Sequence, residues 1–235
     1  MEKVLENSFD FYSKLLYQKE MDILLNEVEA RIVGCLIEKE ATTPEYYPLT
    51  LNALVAACNQ KSNRFPVVEY DEKTVSNALE DLREKNIVYV FYGSTSRVPK
   101  YKHILPKLLE IDRHEVAILC VLMLRGFQTI GEIKERTARI YEFESLNEVH
   151  QALYELKKRE EPLIIELPKQ PGQKEARYAH LLSGEISAEA MAATPSTPTQ
   201  ARQDQISKLE TEIEELKTNY AALRAEFEEF KKQFE

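Results

Sequence analysis

Apolar and polar positions alternate in a pattern that occurs twice along the chain. In the first half, Ile32, Val33, Cys35, Leu36 and Ile37 make a segment that is apolar nearly all round, the signature of a central helix. A second helix is expected from about Leu51 to Asn59, and a third opens at Asp71, a residue whose side chain caps free helix N–H groups. Next come the β-rich run Ile87-Val88-Tyr89-Val90-Phe91-Tyr92, a polar turn around Gly93-Ser94, and the basic segment Arg97-Val98-Pro99-Lys100-Tyr101-Lys102-His103. The second half follows the same order. Val116 to Leu124 is again apolar nearly all round, Thr129 with Glu132 forms a capping box for a second helix, and Ser145 with Glu148 forms one for a third. Leu163 to Leu167, a turn at Pro171-Gly172 and Lys174-Glu175-Ala176-Arg177-Tyr178-Ala179-His180 then complete it. Asn77-Ala78-Leu79-Glu80-Asp81-Leu82 stands where Gln151-Ala152-Leu153-Tyr154-Glu155-Leu156 stands later, and both hairpins end basic, two residues, basic, Tyr, one residue, His. The chain carries one unit twice.

Three helices followed by a two-stranded hairpin is the order of a winged helix-turn-helix. The expected fold class is therefore mainly α with small β-hairpin wings (α+β): two tandem winged helix-turn-helix domains plus a C-terminal coiled coil. The domains are placed at 21–108 and 109–183, after an N-terminal extension at 1–20 in which Phe9, Tyr12, Leu15 and Leu16 give a helix one apolar face. Residues 184–205, rich in Ser, Ala, Thr and Pro, read as a flexible linker. Beyond it Ile206, Leu209, Ile213, Leu216, Tyr220, Leu223, Phe227, Phe230 and Phe234 recur at spacings of three and four, a heptad seam for oligomerisation. With Ile206 as an a position, Glu212 faces Lys217 and Glu226 faces Lys231 of a second copy, which favours a parallel dimer; the aromatics late in the seam leave a trimer open.

Charge changes the picture only in part. The net charge of −9 disfavours contact with phosphates, but residues 183–235 hold more than half of the excess, and a nearly neutral body can still own a basic face. Cys35, Cys58 and Cys120 sit among apolar neighbours at unequal gaps, which reads as buried thiols and not as disulfides or a metal knuckle. No apolar run reaches the roughly 20 residues of a membrane span and the N-terminus lacks signal-peptide order, so a cytoplasmic location and no membrane partner are expected. No phosphate-cradling glycine loop, nucleophile elbow, His-Glu metal helix or Cys-His pairing stands in the sequence. The expectation is a protein that is not an enzyme and has no cofactor and no metal.

Several short stretches carry a further resemblance. Glu29-Ala30-Arg31, Glu38-Lys39, Thr42-Thr43-Pro44-Glu45, Tyr47-Pro48-Leu49, Ala57-Cys58-Asn59-Gln60-Lys61-Ser62-Asn63-Arg64, Leu124-Arg125-Gly126, Gln128-Thr129 and Tyr141-Glu142-Phe143 resemble the YceH-like family of bacterial proteins, from about residue 27 to 184. The resemblance implies tandem winged helices in a bacterial cytoplasm. It brings neither an activity nor catalytic residues.

In a DNA-binding winged helix the third helix enters the major groove and the wing reaches flanking phosphates. For the first unit this singles out Lys73, Ser76 and Asn77 on the third helix, Asn59, Gln60, Lys61, Asn63 and Arg64 ahead of it, and Arg97, Lys100 and Lys102 on the wing. Asp71, Glu72, Glu80, Asp81 and Glu84 on the same helix argue the other way. The second unit offers Arg136, Arg139, Lys174 and Arg177, with Lys157, Lys158 and Arg159 read as complements to a helix dipole. The loop from Asn59 to Arg64 is the leading candidate surface, while Tyr101 and Tyr178 are expected to anchor each wing and His103 and His180 to be structural. Two functions remain: a dimeric DNA-binding regulator or nucleoid-associated factor on double-stranded DNA, or a protein-interaction scaffold with an acidic coiled coil.

Overall fold

The first helix, α1 (Glu27–Thr42), buries every residue from Glu29 to Glu38, as its all-round apolar pattern requires. Its start is fixed by a capping box: Asn26 accepts the Glu29 N–H at 2.9 Å while the Glu29 carboxylate accepts the Asn26 N–H at 2.7 Å. Glu29 is also fully buried, and Lys85 donates to both of its oxygens at 2.6 and 2.7 Å. The computed structural model describes residues 23–92, 98–169, 173 and 175–187. The expected N-terminal extension, the linker beyond Ser187 and the heptad seam from Ile206 to Phe234 lie outside the described residues.

After a 3₁₀ turn at Pro44–Tyr46 come β1 (Leu49–Thr50), α2 (Leu51–Cys58), α3 (Glu72–Glu84), β2 (Val88–Phe91) and β3 (Lys100–His103). A short helix α4 (Leu105–Leu109) leads into α5 (Arg113–Arg125), α6 (Ile130–Thr137), α7 (Leu146–Lys158), β4 (Ile164–Leu167) and β5 (Arg177–His180). The described residues are thus mainly helical, with seven α-helices and small antiparallel sheets.

The repeat extends to individual bonds. β1, β3 and β2 form a three-stranded sheet in that order, with Leu49 opposite Tyr101. In the second half a single bridge takes the place of β1: Gln128, just ahead of α6, exchanges backbone hydrogen bonds with Tyr178 on β5 at 2.8 and 3.1 Å. Ile87 N–H donates to Leu82 and Leu163 N–H to Leu156; Ile104 N–H returns to Ile87 and Leu181 N–H to Leu163. Tyr101 and Tyr178 are each 7% exposed, their rings in the core as expected of wing anchors. Asp71 caps α3 and Thr129 with Glu132 closes a full box on α6. The expected box on α7 is only half made. Ser145 accepts the Glu148 N–H, but the Glu148 carboxylate bonds the Glu144 N–H at 2.8 Å and the Tyr141 hydroxyl at 2.7 Å, a phenol within reach being the better partner.

The two repeats share one hydrophobic cluster and one compact unit. Their central helices α1 and α5 cross with almost no space between them: a Cβ on Gly34 would meet Leu124 Cγ and Cδ2 at 2.9 Å. At the same crossing the Cys120 thiol donates to the Gly34 carbonyl at 3.3 Å, and the Phe65 N–H donates to the Leu124 carbonyl at 2.9 Å. Gly34→Ala is accordingly expected to cost about 1–3 kcal/mol by overpacking, despite the better helix propensity of alanine. Chemical denaturation of the two proteins checks this, and a variant as stable as the parent would show that the crossing yields freely.

Candidate functional site

The loop between α2 and α3 is bonded mostly to itself and to the core. Asn59 clips its far end, donating to the Tyr70 carbonyl and accepting the Tyr70 N–H, both at 2.8 Å. Arg64, expected on a nucleic-acid face, turns inward, its side chain fully buried. Its guanidinium donates to the Glu38 carboxylate from two nitrogens at 2.7 and 3.2 Å, to the Ala57 carbonyl at 3.0 and 3.2 Å, to the Asn63 carbonyl at 2.9 Å and to Gln60 Oε1 at 3.0 Å. It also lies 3.4 Å from Cys35 Sγ. Burial alone would raise the Glu38 carboxyl, but the hydrogen bonds and charge of Arg64 outweigh it and hold Glu38 below the usual carboxylate range. Arg64 is therefore a correction to the sequence reading: a buried cation is stable only where a carboxylate and carbonyls replace its water, and α1 and α2 supply both. Gln60 joins the same knot and also accepts from Lys39 at 3.4 Å. Of the five candidate residues in this loop only Lys61 is exposed, and Asn63 turns toward the second repeat.

On α3 the candidates do face out. Lys73 and Asn77 are exposed and Ser76 is half-buried, among the exposed carboxylates of Glu72, Glu80, Asp81 and Glu84. The β2–β3 pair of the first unit presents a mixed face, since Tyr89 stands opposite Lys102 and Phe91 opposite Lys100 in its register. Tyr89, Phe91 and Tyr92 are 49, 52 and 65% exposed, an unusual outlay of aromatic surface on a strand that packs its other side, Val88, into the core. Lys102 sits 3.9 Å from Glu40, whose other oxygen is 2.9 Å from His103 Nε2 on the inner side of the strand. The candidates Arg97 and Lys174 lie outside the described residues.

The second unit's cations divide. Arg177 donates to Glu132 Oε2 at 2.9 Å and to the Phe127 carbonyl at 2.9 Å, tying β5 to the start of α6. Arg136 pairs with Glu132 Oε1 at 3.3 Å and with Gln128 Oε1. Lys157 bonds Glu166 at 3.0 Å, Lys158 lies over the Tyr154 ring and Arg159 holds the Leu109 carbonyl, so this basic cluster serves the fold. Arg139 is exposed and has no ion pair among the described residues. It lines a cleft with Arg125, Arg136, Asn63 and Glu38, walled by Val121, Leu124 and Ile140. Arg125 and Glu38 are not among the sequence candidates, although both stand in the short stretches that carry the family resemblance.

Elsewhere, Asp112, His114 and Glu115 bring three possible metal ligands together, but Asp112 and Glu115 are the capping box of α5 and bond backbone N–H groups. The three cysteines are buried and free. Among the described residues no helix is long and apolar enough to cross a membrane.

Residues 25–173 match a family described as "Protein of unknown function, DUF480". A UPF0502 protein of Geobacter sulfurreducens is 49% identical over 92% of this chain and all of its own length. Another, of Opitutus terrae, is 52% identical over 74% of this chain and 76% of its own, and one of Aeromonas hydrophila is 42% identical over 86% and 96%.

Proposed function

The chain belongs to this bacterial DUF480 family, and for it we propose a non-enzymatic DNA-binding function carried by two tandem winged-helix units, the fold that the YceH-like resemblance implies. The observation that supports it is the strand before the second helix of each unit: β1 adds to the wing in one, and the Gln128–Tyr178 bridge stands at the same place in the other. A helix, short strand, helix, helix and hairpin in that pairing is the winged helix-turn-helix arrangement. Lys61, Lys73 and Lys102 are the exposed cations that would meet phosphates, with Asn77 turned toward base edges. The heptad seam of 206–234 would pair two copies in the cytoplasm, so that weak contacts by a nearly neutral body add through effective concentration.

A second reading, a protein-interaction scaffold, is favoured by one feature, the exposed aromatics of the first wing beside the carboxylates of α3. Mobility shifts on random duplex DNA at two salt concentrations separate the two. Salt-sensitive binding is expected, and Lys61→Ala/Lys73→Ala/Lys102→Ala should weaken it across all sequences and lower the salt slope by about 1 per lost phosphate contact. Absence of binding at low salt, or a triple variant that binds like the parent, would turn the case to the scaffold.

A further inference from the structure

Where the α2–α3 loop of the first repeat meets α5 and the end of α6 in the second, positive charge collects without matching carboxylates. Arg125, Arg136 and Arg139 line the cleft, and Glu38 is the single acidic residue of its wall among the described residues. That carboxylate is already saturated: both oxygens accept from the buried Arg64, and Lys39 lies 3.7 Å away on the side. Glu132, the next carboxylate along, is divided between Arg136 and Arg177. Arg125 has the neutral amide oxygen of Asn63 as its side-chain partner, and Arg139 has no ion pair among the described residues. Burial, and after it the charge of Arg136, brings the half-buried Arg125 guanidinium below its ordinary value, the effect of gathering guanidiniums side by side. Asn63 is held at φ 59°, in the left-handed region that asparagine tolerates, while it accepts from Arg125.

We propose that this cleft is a binding site for a phosphate group, held by Arg125, Arg136 and Arg139. Guanidiniums suit the role because each offers parallel N–H donors that match two phosphate oxygens at once, and three of them answer the charge of a dianion. The cleft itself is small, about 20 Å³, so it takes only the oxygens of a compact oxyanion and leaves the rest of its carrier outside. The apolar wall of Val121, Leu124 and Ile140 keeps the local dielectric low and strengthens the contact. Two carriers share this chemistry: a soluble phosphorylated molecule and the backbone of a DNA duplex. The site does not rest on the DNA-binding reading.

The test is a calorimetric titration of the full-length protein with inorganic phosphate and with pyrophosphate at low ionic strength, repeated on Arg139→Gln and on Lys107→Gln, an exposed cation of α4. Arg139→Gln removes a side chain that forms no ion pair with the described residues, so the variant keeps its structure. Saturable binding that falls at least about ten-fold in Arg139→Gln and is unchanged in Lys107→Gln is the expected result. No saturable heat with millimolar pyrophosphate, or equal affinity in Arg139→Gln, would overturn the site. Mobility shifts then identify the carrier. If pyrophosphate displaces duplex DNA and Arg139→Gln weakens the DNA complex, the cleft holds a backbone phosphate. If pyrophosphate binds and the DNA complex is indifferent to both, or never forms, the cleft takes a soluble phosphorylated ligand, and the DNA reading stands or falls separately.

Discussion

Glu38→Ala is expected to lower the unfolding free energy by about 3–5 kcal/mol. The variant leaves the Arg64 guanidinium in the core without its carboxylate, and the carbonyls of Ala57 and Asn63 do not neutralise it. Removing both charges at once by Glu38→Gln/Arg64→Met should be far milder, because much of the cost in the single variant is an orphaned buried cation and not a lost attraction. Urea denaturation of the parent, the single and the double variant forms the test. A double variant as unstable as Glu38→Ala would mean that Arg64 acts through its loop bonds and that the ion pair matters little. Arg64→Ala belongs to the same class, so a loss of binding in that variant reports the loop's collapse before it reports any contact with a ligand.

The second large effect lies in the pH dependence. His103 and His180 occupy equivalent positions at the ends of β3 and β5, but of the two only His103 has a described carboxylate, Glu40, beside it. His180 is half-buried with its Nδ1 enclosed and unpartnered, and desolvation pushes its pKa down to about 4 from 6.5. The unfolded chain therefore binds a proton between those values that the folded protein refuses. Stability from this group is fully present above pH 6.5 and is lost as pH falls, and about 3 kcal/mol has gone by pH 4. His180→Gln removes this share, so the parent should lose about 3 kcal/mol more than the variant between pH 7 and pH 4. The carboxylates contribute equally to both proteins and cancel. Parallel stability curves would show that His180 takes up its proton in the folded state.

How far the sequence can be read depends on the range of each interaction. The helices α1, α3, α5 and α7, the caps at Asp71 and Thr129, and the repeat spelled out at Tyr101 and Tyr178 are set by residues a few positions apart, and all are visible in the order of side chains. β1 and the Gln128 bridge are too short to have a period, and α4 is a single turn set by Pro106. Arg64 is misplaced by the sequence because two amides and two cations in a loop look alike whether they face water or each other. What decides its direction is Glu38, 26 residues earlier on a helix whose apolar pattern gives no sign of a buried acid. The cleft is hidden for the same reason: Arg125 ends its helix, where a cation also serves the dipole, and only the approach of Asn63 from the other repeat gives it a second meaning.

The contact of Gly34 with Leu124 bears on more than packing. Duplicated modules commonly keep a joint that lets each copy find its own footing, whereas here the two copies are welded along their innermost helices. The spacing of the β2–β3 and β4–β5 pairs is then set through that contact, like the gap of a caliper. Any partner that touches both must bring its own two points at that gauge, and selectivity arises from length before any side chain is read.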